Sequence, residues 1–189
     1  MRTLGLLLAV VASTAQAAPP KVTAQPVLEA DVEKTLPAGT EVDLILQTLL
    51  AASRAMADQR FEAIAIAAKL PAEAVRPITM ATVRGFLSSV RRPGSTRSAL
   101  TLSFEELHAG PKPQRLRASV IQVFLGQRPD ETGGQATAAL YRGLQPFPGV
   151  VVDVPGTVTS VDGKEVLLPP GTVLRVRLEQ PVTVRMPGL

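Results

Sequence analysis

The chain has 189 residues, no cysteine, one histidine and a formal net charge of +4. Absent cysteine excludes disulfide staples and thiolate chemistry. Only 3% of residues are aromatic against 46% hydrophobic, so the core is built of Val, Leu, Ile and Ala, and a platform for stacking bases is disfavoured.

Residues 1–17 read as a secretory signal peptide. Arg2 supplies the positive start, residues 4–11 an apolar stretch, and Ala15-Gln16-Ala17 a small-x-small cleavage site. The apolar stretch is shorter than the roughly 20 residues that span a bilayer. No transmembrane span is expected after it. The product is therefore expected outside the cytoplasm, in the periplasm or outer cell envelope. Residues 18–35 form a proline-rich, extended lead. One domain is expected over residues 36–189, with a flexible insert near 126–149.

Residues 36–46 read LPAGTEVDLIL, and residues 168–178 read LPPGTVLRVRL. Each is proline-glycine turn chemistry followed by a strand-like alternation. Val42, Leu44 and Leu46 share one face of the first, and Leu174, Val176 and Leu178 one face of the second. Because the intervening segments do not repeat, the phrase is read as the same turn used before the opening and closing strands of one barrel.

Between these copies, propensity predicts a helix over residues 49–58 and leaves 61–68 open between helix and strand. Residues 78–90 predict a strand with Gly85 at a bulge or close approach. A turn at residues 91–95 leads to a strand over 98–107, which makes this the clearest hairpin. A strand follows over 115–124, with Leu116, Ala118 and Val120 inward. Residues 126–148 predict a loop with at most a short helix around 136–142. Short strands follow at 150–154 and 157–161, and Asp162-Gly163 signals a hairpin turn.

These segments resemble a family of small exported bacterial β-barrel proteins. The matching stretches are LPAGTEVDLIL, DQRFEAIAIAA, TVRGFLSSVRRPGSTRSALTLSFEELHAG, RLRASV and GKEVLLPPGTVLRVRLEQPVTV. More distantly, their order is similar to the β-barrel domain of TrbI-like proteins of conjugative type IV secretion channels. The resemblance moves residues 61–68 to strand. It implies a mainly β fold: a single distorted antiparallel β-barrel or sandwich with at most one or two short helices. It implies no activity. Ala57 stands where the family has glycine, which puts the turn at Asp58 in question. Charged residues and prolines in the 126–149 insert argue against membrane insertion there.

Catalytic signals are weak. His108 is the only histidine and ends a strand before a glycine-proline turn. A zinc site is improbable with one histidine and no cysteine, and no nucleophile elbow accompanies a serine. Glu105 and Glu106 are adjacent, so on a regular strand they face opposite sides. Asp130-Glu131 sits in a polar loop. No phosphate loop or dinucleotide fingerprint exists, and no cofactor is expected. The arginines carry the binding content. Arg91, Arg92 and Arg97 cluster at a hairpin tip. Arg115 and Arg117 share the outer face of one strand, as do Arg175 and Arg177 of another. Neighbouring strands would make them a cationic, anion-binding face.

The reading that results is a non-enzymatic envelope protein acting by binding or assembly. Its expected partner is an envelope protein or an anionic polymer, and self-association is compatible with it. A basic module for anionic envelope polymer or nucleic acid is the alternative. An envelope hydrolase using His108 is the least favoured.

Overall fold

The computed structural model describes residues 31–70, 75–94, 97–126 and 144–188. These form strands β1 (Val32–Leu36), β2 (Glu41–Leu46), β3 (Leu50–Ala51), β4 (Arg60–Lys69), β5 (Val75–Arg91), β6 (Ala99–His108) and β7 (Gln114–Arg115). They continue as β8 (Ala118–Phe124), β9 (Val150–Val154), β10 (Thr157–Ser160), β11 (Leu167–Leu168), β12 (Val173–Leu178) and β13 (Val182–Met186). No helix occurs among the described residues. The main sheet is antiparallel and runs β8-β12-β2-β4-β5-β6-β10-β9, with β7 on β6. It curls into a nearly closed barrel: the Gly156 N–H in the β9–β10 turn donates to Val120 O at 2.8 Å and the Phe147 N–H to Val123 O at 2.9 Å, both on β8.

The two LPxGT units pair with each other. Asp43 stands opposite Arg175 in the β2–β12 ladder, 132 residues apart, and the whole arrangement repeats at that offset. At one end Gly39 N–H donates to Leu178 O and Leu178 N–H to Thr40 O. At the other, Gly171 N–H donates to Leu46 O and Leu46 N–H to Thr172 O. Gly39 and Gly171 have φ of +86° and +91°, which a side chain rarely tolerates. Leu36 of the first unit pairs with Val182 beyond the second. Leu168 of the second pairs with Leu50 beyond the first. A local two-fold axis thus passes through the Asp43–Arg175 pair. One asymmetry is local: Thr172 Oγ1 donates to Pro169 O, while buried Thr40 Oγ1 has no partner among the described residues.

The core is mostly aliphatic and holds an edge-to-face pair of Phe61 and Phe104, 5.5 Å between centroids. Gly85 is a point of close approach. A Cβ there would lie 2.3 Å from Ser103 O and 2.6 Å from the Phe61 ring, beside a bulge between Arg84 and Gly85. The reading of Gly85 as a bulge or close approach is therefore shown on both counts.

Several expectations are corrected. Residues 49–58 are not a helix: Leu50 and Ala51 form β3 against β11, and Ala52 N–H reaches Val166 O. Tertiary pairing has overridden alanine's propensity. The turn at Asp58 is left-handed, with a φ of 65° at a residue other than glycine. Residues 32–35 belong to the barrel rather than to a lead, because Val32–Leu36 is a strand on β13. Asp162-Gly163 does not join paired strands. The hairpin turn is Pro155-Gly156, between Val154 and Thr157. The residues after Asp162-Gly163 instead cross to β3, held by buried Ser98, which donates to Lys164 O and accepts from the Val166 N–H. Residues 144–147 run beside β8, with Leu125 N–H donating to Gln145 O. The helix expected near 136–142 lies outside the described residues, as do the signal peptide and residues 18–30.

Gly85→Ala is expected to destabilise the barrel by about 2–3 kcal/mol, since overpacking here moves backbone as well as a ring; thermal melting checks it. Asp43→Ala is expected to cost about 3 kcal/mol by stranding a shielded guanidinium. The double change Asp43→Leu/Arg175→Leu should cost less than either single alanine change in urea unfolding.

Candidate functional site

Among the described residues, a groove of about 1140 Å³ opens on the outer wall. It lies where β6 and β8 fail to pair along their full length. At one end Gly156 bridges them, accepting from the Leu102 N–H and donating to Val120 O. At the other, Leu116 N–H donates to Glu105 O. The bulge in β6 shifts the register so that Gly85 pairs with Phe104 and Arg84 with Glu106. Glu105 is the extra residue. Both Glu105 and Glu106 therefore line the groove, which corrects the expectation that they face opposite sides: a bulge breaks the period of two.

Charges cross the groove wall as a ladder. Glu62 on β4 is registered with Arg84 on β5, Arg84 with Glu106 on β6, and Glu106 with Arg115 on β7. Arg84 Nε donates to Glu62 Oε1 at 2.9 Å. Arg60 bonds Glu105 and lies 5.9 Å from the Phe86 ring centroid. Glu106 is not paired with Arg115. Its Oε2 lies 3.0 Å from Nε2 of His108 on the same strand. Ser119 Oγ donates to Glu179 on the far rim.

The seven arginines divide into three groups. Arg175 is committed to the two-fold axis. Its Nε and Nη2 donate to the two Asp43 carboxylate oxygens at 2.8 and 3.0 Å, and its guanidinium lies 4.8 Å from the Phe124 centroid. Side-chain exposure is 21% for Arg175 and 6% for Asp43, so the pair is shielded. Arg177 faces outward but is directed to Glu41 at 3.4 Å. Arg91, Arg92 and Arg97 are exposed at the β5–β6 hairpin tip, outside the groove lining. Arg115 and Arg117 line the groove, are exposed and form no side-chain hydrogen bond or ion pair among the described residues. Alternation places both outward, with Leu116 buried between them. The structure does not gather the seven into one cationic face.

The partnership of His108 was missed because it depends on the bulge-shifted β6 surface. His108 is half-buried rather than a free turn residue, and it lines a second hollow with Thr79, Met80 and Arg185. Among the described residues no group of three or more His, Asp or Glu is placed to hold a metal ion. No family model, no curated protein and no solved structure matches the chain.

Away from the groove, Glu165 is held below the ordinary carboxylate range. The causes, largest first, are the hydrogen bonds from the Ser53 hydroxyl and the Ser53 backbone N–H, then burial, which opposes them, and last the Arg54 charge, which adds to the lowering. These bonds join the segment after β3 to the segment before β11. A depressed folded value means the contribution is complete above the ordinary carboxylate range and lost as pH falls through the lowered value. Ser53→Ala is therefore expected to move the Glu165 titration, followed by carboxyl NMR, up toward the ordinary value.

Proposed function

We propose that this chain is a non-enzymatic, exported cell-envelope protein that works by binding a partner protein in the β6–β8 groove. The observation that carries the reading is the pair of uncompensated cations on one wall, Arg115 and Arg117, beside a ladder whose other charges are satisfied. Four arginines and four glutamates line the groove. A uniform polyanion would meet those carboxylates as well as the arginines. A polypeptide presents isolated charges along an extended backbone and suits such a lining better. The exported location follows from the signal-peptide pattern of residues 1–17. The order of the barrel motifs, similar to that of the exported family and of TrbI-like domains, supports an envelope role.

Arg115→Glu/Arg117→Glu is the test. Both side chains are exposed, so the variant should melt within about 0.5 kcal/mol of the parent. Crosslinking in intact envelopes should lose roughly tenfold of a specific adduct formed through a photoreactive residue at Ser103. An adduct unchanged by the double charge reversal, or no adduct in the parent, would refute the reading. Adducts formed with polysaccharide or nucleic acid instead of protein would favour the anionic-polymer alternative.

A further inference from the structure

The ladder contains a misallocated charge. Glu106 and Arg115 are registered opposite each other on β6 and β7, where an exposed carboxylate and guanidinium ordinarily meet. Instead the Glu106 carboxylate is engaged by His108, two residues along the same strand face, and Arg115 is left open. The same carboxylate thus has two competing neighbours, Arg115, which is always charged, and His108, an imidazole that is cationic only when protonated.

We propose that Glu106 gates Arg115. Protonated His108 holds the Glu106 carboxylate and leaves the Arg115 guanidinium open to a carboxylate of a partner polypeptide. Neutral His108 releases Glu106 to Arg115 and closes the site. The proposal rests on the groove reading above and adds to it the chemical class of the contact and its control.

The surroundings leave Glu106 as the group that switches. Arg84 on β5 is registered with Glu106 but its Nε is taken by Glu62 of β4. Glu105, the neighbour on β6, is taken by Arg60. On the other side of His108, Thr82 of β5 is its registered partner, and Arg185 of β13 shares its hollow. Arg185 lies 3.9 Å from Glu33 of β1, and Asp31 accepts from Thr79. Lys112 is exposed in the turn before β7. Each nearby carboxylate other than Glu106 has a partner whose charge or hydrogen bond does not depend on His108.

The experiment uses the full chain and a fluorescently labelled tetra-aspartate peptide, with anisotropy read at pH 5.5 and pH 8. The parent should bind about two- to fivefold more tightly at pH 5.5, the size of one exposed ion pair. Glu106→Gln should bind tightly at both pH values, because no carboxylate competes for Arg115. His108→Gln should bind weakly at both. Arg115→Gln should lose the binding. Binding that needs Arg115 but keeps the parent's pH dependence in His108→Gln, or that Glu106→Gln leaves unimproved at pH 8, overturns the gate while the groove stands. A parent that does not bind the peptide at either pH overturns the carboxylate contact, and the envelope crosslinking separately decides the groove.

Discussion

The barrel depends on the pairing of β2 with β12, and that pairing is centred on one bidentate ion pair. β12 is flanked by β8 and β2, and β2 by β12 and β4, so neither strand can shift without moving the whole sheet. Hydrophobic alternation excludes a one-residue slip, which would turn Val42 and Leu44 outward. It does not exclude a two-residue slip, which keeps the apolar face inward. Charge does. In one direction such a slip sets Glu41 opposite Glu179; in the other it leaves Asp43 opposite Val173. Only the observed register gives Arg175 to Asp43 and Arg177 to Glu41. The planar guanidinium fork adds an angular requirement that a lysine would not impose.

The local two-fold explains why the same five-residue phrase occurs twice. In an antiparallel pair, whatever turns the chain into one strand at one end is needed again at the opposite end of its partner. Both glycines sit at positive φ, and both donate to the last carbonyl of the other unit's strand. The repetition therefore reflects two ends of one ladder. The axis is also the one place where a residue meets its own equivalent. Identical residues there would set like beside like, so Asp in one unit and Arg in the other is a way for two similar units to recognise each other rather than themselves.

Much of this was legible in the sequence, and the boundary of legibility is physical. Pro-Gly turns, the alternation of residues 41–46 and 173–178, and the close approach at Gly85 are local signals, and each is found where the pattern put it. That the two LPxGT strands are mutual partners is a long-range fact with no local signature. The helix expected over 49–58 failed for the same reason: Leu50 and Ala51 are strand because β11 is there to receive them. Asp162-Gly163 carried a hairpin signal that tertiary pairing did not use, since Ser98 draws the following backbone to the opposite side. Of the site, the outward placement of Arg115 and Arg117 followed from alternation. The neutralisation of Arg175 and Arg177 did not, because it required knowing that β2, with its carboxylates, lies next to them.

The groove is a consequence of how this barrel closes. Strands β6 and β8 form no ladder with each other, and closure is left to Gly156 at one end and to β7 at the other. The bulge at Glu105 lies on the same wall and brings two adjacent glutamates onto one surface. The cross-strand charge ladder is paired at Glu62 and Arg84 but is left open at its β7 end. Its last carboxylate is drawn along β6 to His108, and its last two cations, on the short β7 and the approach to β8, face the opening. The site follows from incomplete closure in the way that the fold follows from the completed pair at its two-fold axis.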